Sequence, residues 1–335
     1  MRRRDFQRLV DSLKSLSPHQ LHQLNETVSG LAQKNEVRAL IARQVEQSGQ
    51  CPYCDAKEFR RWGTTPAGEQ RYRCKACAKT FTGLTGTPLN RVHHKHQLLD
   101  YEHCMKAGLS VREAAAELGL HRNVVFRWRH RLMPQLDVHQ PHSLEGVAEV
   151  DEAFFRESFK GRKHGMPRKA HKRAMPAGKR GISREQIPVL TAVARGSRSS
   201  YMVVLPGTPN APNITAALGS VLAPDAVLVS DSASAYKTAA KTLGVVGRQI
   251  PSGTHKLGPY HIQNVNALHS RIKDWFRPFK GVATKNLPVY LAWFRFFDET
   301  GWVRAPGGFL RDAISRPPVK ASSPPWQLPP GLVPP

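Results

Sequence analysis

Residues 147–155 read Val147-Ala148-Glu149-Val150-Asp151-Glu152-Ala153-Phe154-Phe155, and this stretch decides the fold class. Apolar and acidic residues alternate with the two-residue period of a strand, which sends Glu149, Asp151 and Ala153 to one face and Glu152 to the other. An acid in the middle of a strand is costly unless it meets a metal or a partner. Working outward, residues 187–194 and 200–205 read as two further strands joined at Arg195-Gly196-Ser197 in a hairpin-like turn. A helix is expected over 211–222, and the apolar run 226–230 then delivers Asp231 to a strand end. Ligands of open α/β sheets collect at the C-terminal ends of strands, so Asp231 is a second site candidate, with a helix cap as the plain alternative. Residues 139–300 are thus expected to form an α/β domain.

Between the two acids, residues 156–185 hold eleven Lys or Arg against two Glu. Arg162, Lys163, Lys172 and Arg173 belong to this run, which suits a duplex backbone or is simply a solvated charged segment. Upstream, Cys51-Pro52-Tyr53-Cys54 and Cys74-Lys75-Ala76-Cys77 are separated by 19 residues. Two such knuckles supply four thiolates to one tetrahedral structural Zn²⁺, and the metal then stabilises a piece too small to fold on its own core. Residues 49–95 are read as this zinc ribbon. Its basic and aromatic residues, among them Arg60, Arg73, Trp62 and Tyr72, suit DNA contact or protein docking equally.

Residues 96–138 follow as a helix-turn-helix. Ser110 and Glu113 form a capping box ahead of Ala114, Ala115 and Leu118, Gly119 breaks the helix, and a second helix is expected over 121–132. There Val124, Val125, Trp128 and Leu132 share one face, while Arg122, Asn123, Arg127 and Arg131 occupy others and suit a major groove. Residues 1–48 carry Phe6, Leu9, Val10 and Leu13, then Leu21, Leu24, Val28 and Leu31 at helical spacing. Two amphipathic helices are expected, broken at Ser17-Pro18, and packed as a pair or used for dimerisation. Residues 301–335 are taken as a tail without regular structure, since Pro fills eight of the last nineteen positions.

Across all 335 residues, 50 Lys and Arg against 25 Asp and Glu leave a formal charge of +25, which points to a polyanionic partner. With 40% hydrophobic residues the charge sits on a folded body rather than a disordered basic tail. No apolar run is long enough for a membrane span, and the N-terminus lacks a secretory signal, so a soluble, intracellular protein is expected.

Strand with acid, hairpin, helix, strand with acid, helix: this order resembles the RNase H-like core of DDE transposases. Within them it is similar to the insertion-sequence family numbered fifteen ninety-five, of the ISXO type. The likeness runs over about residues 50–298 and also rests on TGLTGTPL, DEAFFRESFKGRK, KRGISREQIPVL, VLVSDSASAY and HIQNVNALHSRIKDWF. It implies a mixed sheet with flanking helices and a catalytic set of Asp151, Asp231, Asn266 and Lys273. Asn266 stands where many relatives have an acid, with 34 residues between it and Asp231, and Lys273 lies two turns further along the same helical face. The resemblance further implies Mg²⁺ ions, two in number and replaceable by Mn²⁺, held by Asp151, Asp231 and Asn266. It implies binding to terminal inverted repeats and to target DNA, a homodimer or higher oligomer on DNA, and a place in the bacterial cytoplasm at the nucleoid. A noncatalytic DNA-binding regulator descended from a transposase is the alternative, and the two strand-placed Asp with Lys273 in helical register argue against it.

Overall fold

The computed structural model describes residues 2–139, 141, 143–162, 164–166, 183, 185–197, 200–205, 207–300 and 308–314. They divide into two compact units, one built from Met1–Ala107, Ala114–His121 and Ala305–Pro318, the other from Gly108–Glu113 and Arg122–Arg304. None of the described helices is long and apolar enough to cross a membrane.

The first unit opens with α1 (Arg3–Ser12) and α2 (Pro18–Ser48). Ser17 caps α2 as its sequence suggests: its hydroxyl accepts the Gln20 amide, the Gln20 side chain returns a bond to the Ser17 amide, and Pro18 takes the first turn. The expected packed pair does not form through the stripe read from the sequence. No side chain of α1 is buried, and Leu21, Val28 and Leu31 remain 43%, 53% and 55% exposed. The buried stripe lies further along, at Val37, Leu40, Ile41 and Val45, because only the C-terminal half of α2 has the ribbon beside it. The ribbon is a three-stranded antiparallel sheet of β1 (Phe59–Thr64), β2 (Gln70–Cys74) and β3 (Thr80–Phe81). Phe59, Tyr72 and Phe81 form its small aromatic core. Next comes α3 (Leu98–Lys106), while α4 (Val111–Glu117) ends before Gly119, which adopts φ +61° and turns the chain.

One expectation is corrected in the tail. Gly308–Ile314 is a helix, α10, with Phe309, Leu310, Ala313 and Ile314 buried. Its start is held by Glu102 of α3, a buried carboxylate that accepts the Phe309 and Leu310 amides at 3.4 and 3.3 Å and pairs with Lys106 at 3.3 Å. Helical spacing of four apolar residues outweighs a composition argument drawn from the eight prolines of the last nineteen positions, all of which follow α10. Those prolines lie outside the described residues.

The second unit contains α5 (Arg122–Leu132) and a five-stranded mixed sheet. The strands are β4 (Val147–Arg156), β5 (Gln186–Ala194), β6 (Ser200–Val204), β7 (Val227–Ser230) and β8 (Val246–Gln249), in the spatial order β6-β5-β4-β7-β8. The first three are antiparallel, and β7 and β8 run parallel to β4. This is the RNase H-like order. On one face, α6 (Ala211–Leu218) and α7 (Ser234–Leu243) cover Ala148, Val150, Leu190, Ala192 and Leu228. After the short strands β9 (Lys256–Leu257) and β10 (Tyr260–His261), α8 (Gln263–Phe276) and α9 (Leu287–Thr300) cover the other face around Val189, Met202, Leu268, Ile272 and Leu291. The alternation read from residues 147–155 is therefore the alternation of two cores, and Asp151 belongs to the α8 side.

Candidate functional site

The parallel ladder between β4 and β7 pairs Val147 with Val227 and Glu149 with Val229. Two residues beyond that last pair stand Asp151, within β4, and Asp231, just past the end of β7. Strands lie about 4.8 Å apart, so the carboxylates interact. Burial, with repulsion from Asp231, raises the Asp151 pKa to about 6, and Lys273 pulls in the opposite sense. Asp231 is partly engaged locally: its Oδ1 accepts the Ala233 amide at 3.0 Å, in the turn before α7. Glu152, on the far face of β4, is drawn into the same field. Burial, with repulsion from Asp151 and Asp231, pushes it up to about 7 against the influence of the Tyr236 hydroxyl.

Helix α8 is fixed to this sheet by Glu149, whose side chain is wholly buried. Its Oε2 accepts the backbone amides of Asn264 and Val265 at 2.8 and 3.3 Å, and its Oε1 accepts Asn264 Nδ2 at 2.7 Å and Arg195 Nε at 2.8 Å. Arg195 in turn donates to the carbonyls of Pro259 and His261 at 2.6 and 3.2 Å. The strand acid that looked costly in the sequence is thus an N-terminal anchor for α8, satisfied by amides and a guanidinium. The β5–β6 turn, through Arg195, ties the approach to α8 into the same knot.

Along α8, Asn266, His269 and Lys273 follow at spacings of three and four, one helical face. Asn266 and Lys273 are exposed, and Lys273 acts electrostatically on Asp151. His269, which sequence reasoning passed over, is buried with Nδ1 3.7 Å from Asp151 Oδ2 and Nε2 against Thr191 Oγ1. Burial, with repulsion from Lys273, lowers its pKa to about 4. The available signal was its place between Asn266 and Lys273 on the same helical face.

The four cysteines come together. Their sulfurs all lie within 4.8 Å of one another, with Cys51–Cys77 at 3.7 Å and Cys54–Cys74 at 3.6 Å. A tetrahedron with metal–sulfur bonds of about 2.3 Å has edges of roughly 3.8 Å, so the set fits a zinc-sized ion. Each knuckle closes through a left-handed residue just after its second cysteine, Asp55 at φ 59° and Ala78 at φ 57°. The Cys77 amide reaches the Cys74 sulfur at 3.5 Å and is the first cause of that thiol's fall to about 7.

In the helix-turn-helix, Ser110 and Glu113 exchange the two bonds of the capping box. Val125, Trp128 and Leu132 of α5 are buried, while Arg122, Asn123, Arg127 and Arg131 are exposed. Arg129 differs from its basic neighbours: it is buried, donates to the Leu109 carbonyl at 2.7 Å and lies 4.7 Å over the Trp293 ring. Arg162 is exposed and bonds to the His164 carbonyl; Lys163, Lys172 and Arg173 lie outside the described residues.

Residues 143–297, which hold both strand acids and the whole of α8, match the ISXO2-like transposase domain. That match is to the domain alone, which is similar to those of ISXO2-like transposases. Ahead of that domain, residues 98–136 match a homeodomain-like helix-turn-helix domain. Over 262 residues the chain is 26% identical to an uncharacterized protein in transposable element ISH50 of Halobacterium salinarum, covering 77% of this chain and 87% of that protein. Among solved structures it aligns with the Mos1 strand transfer complex at 11% identity and a TM-score of 0.29, covering 64% of this chain and 72% of that one. It also aligns with a pre-cleavage Mos1 transpososome at 12% identity and a TM-score of 0.20, covering 62% and 78%. The chain thus carries a transposase-like domain preceded by a homeodomain-like helix-turn-helix domain.

Proposed function

We propose that the protein is a DNA transposase that binds the terminal inverted repeats of its own insertion sequence and carries out metal-dependent strand cleavage and strand transfer. The observation that carries the proposal is the Asp151–Asp231 pair, one carboxylate on β4 and one just past the end of the neighbouring β7, whose repulsion adds to the cost of charging Asp151. Such a pair gains most from a divalent cation, and the oxygen donor set suits Mg²⁺ or Mn²⁺. When bound, the ions supply Lewis acidity and a lowered pKa for an attacking water or 3′-hydroxyl. The chain's own residues do the remaining work. Asp151 and Asp231 hold the ions, with Asn266 offering a neutral carbonyl oxygen. Lys273 neutralises a nonbridging phosphate oxygen. Glu149 and Arg195 keep α8 in register with β4. Arg122, Asn123, Arg127 and Arg131 read or grip the element end, and the basic segment containing Arg162, Lys163, Lys172 and Arg173 follows the backbone of end or target DNA. The ribbon cysteines hold a structural Zn²⁺. Joining two ends to a target requires both ends at once, so the working form is a homodimer or higher oligomer on DNA, acting at the bacterial nucleoid.

The test is a transposition assay in cells. A marked element, bounded by the inverted repeats that flank the gene, is supplied with parent, Asp231→Asn or Asn266→Glu. The proposal expects transposition from the parent and none from Asp231→Asn. Silence of the parent with rescue by Asn266→Glu would identify a decayed enzyme instead.

A further inference from the structure

Asp151 stands opposite Thr191 in the β4–β5 ladder, and the Thr191 hydroxyl meets two groups. It donates to the Asp151 backbone carbonyl at 3.0 Å, and the same oxygen contacts Nε2 of His269. A hydroxyl has one proton to give. Since the carbonyl can only accept, that proton is spent on Asp151, and the contact with His269 runs from ring N–H to Oγ1. When the imidazole is neutral, this contact places its hydrogen on Nε2 and leaves Nδ1 as a lone pair free to bind a cation.

Nδ1 lies 3.7 Å from Asp151 Oδ2, with the His269 side chain 9% exposed. In that tautomer a cation between Nδ1 and Oδ2 offsets the repulsion of two electron-rich atoms, and the Asp151 side chain, 22% exposed, leaves the approach open. With bonds of about 2.1 Å, two ligand atoms 3.7 Å apart subtend roughly 120° at a shared cation, the angle of a five-coordinate or distorted site rather than a regular octahedron. Imidazole ligands to metals characteristically donate their second nitrogen to a protein oxygen, which fixes tautomer and ring orientation. Thr191 stands in that position. The helical face supplies the rest, because His269 lies one turn after Asn266 and one turn before Lys273.

We propose that His269 is a metal ligand of the active site, sharing a divalent cation with Asp151 through Nδ1 while Thr191 holds its other nitrogen. The inference rests on the reading of Asp151 as a metal-binding residue and adds the donor that α8 brings. It accounts for a neutral Asn266 in place of an acid: the firm α8 ligand is a nitrogen, and the Asn266 oxygen is auxiliary. A mixed nitrogen–oxygen set also shifts preference away from Mg²⁺ toward Mn²⁺, since imidazole is a softer donor than a carboxylate.

The test uses the full-length chain with Mn²⁺ as the probe, read by pulsed electron paramagnetic resonance. The parent is expected to show a directly coordinated ¹⁴N coupling that converts to ¹⁵N when histidine is isotopically labelled, a measurement that needs no variant to fold. Asp151→Asn and His269→Gln should each abolish the coupling, and His269→Gln should weaken Mn²⁺ binding at least about tenfold while Zn content stays the same. Mn²⁺ bound in an Asp151-dependent way without nitrogen coupling would overturn the His269 assignment alone, as would a coupling that survives in folded His269→Gln. An absence of any Asp151-dependent Mn²⁺ binding would overturn the metal reading of Asp151 and this assignment with it.

Discussion

The carboxylate of Glu149 accepts the backbone amide of Asn264 at 2.8 Å, and this bond joins the strand that carries Asp151 to the helix that carries Asn266, His269 and Lys273. The two residues are 115 positions apart in the chain, so the candidate site depends on a long-range contact made by an acid two residues from Asp151. Truncating Glu149 would strand the Arg195 guanidinium and uncap α8 together.

Glu149→Ala is accordingly expected to cost about 3–5 kcal/mol of stability, the range for breaking a buried hydrogen-bonded ion pair on one side. Urea unfolding followed by tryptophan fluorescence checks this. A loss below about 1 kcal/mol would mean that the anchor is not structural.

Much of this site is legible in the amino-acid sequence alone. Asp151 and Asp231 declare themselves because an acid interrupts, or ends, an apolar strand, and the C-x-x-C pairs do so because thiolates at that spacing have few other uses. Ser17-Pro18 and Ser110/Glu113 read correctly because capping is decided within four residues. What escapes is tertiary. His269 looks like any helix residue until Thr191 and Asp151 face it, and the role of Glu149 depends on amides far along the chain. The apolar stripe of residues 1–31 misleads for the converse reason: periodicity reports amphipathic helix, not which partner covers it.

The cysteine cluster makes a second expectation. Cys54→Ser or Cys77→Ser should lose one equivalent of zinc and render residues 49–95 protease-sensitive, with the α/β unit still folded. Elemental analysis with limited proteolysis reads both. Intact protein free of zinc would end the ribbon assignment.

For the helix-turn-helix, Asn123→Ala or Arg127→Ala should weaken binding to the element end by about 1–3 kcal/mol if the residue contacts a base edge, with less change on random duplex. Equal losses on both duplexes would mark phosphate contacts, and unchanged binding would move recognition off α5.

His130 gives a prediction in pH. Its ring packs 4.2 Å from that of Phe126, and its buried Nε2 has no partner among the described residues. Burial, with repulsion from Arg129 and Lys285, lowers its pKa to about 4 from an ordinary 6.5. The unfolded chain therefore binds the proton first, and the contribution of neutral His130 is whole above about pH 6.5 and lost as pH falls toward 4. His130→Phe should remove acid lability on the order of 1–3 kcal/mol in that window, seen as a shallower fall in urea midpoint between pH 7 and 4.5. An unchanged slope would assign the lability to other groups.

The most direct test of the central claim is cleavage of a supercoiled plasmid bearing both element ends by purified parent, Asp151→Asn and Asp231→Asn, with end binding measured on the same preparations. The account predicts Mg²⁺- or Mn²⁺-dependent cleavage by the parent, abolished by chelation, and none by either variant although both still bind the ends. Cleavage retained in both Asn variants would contradict it.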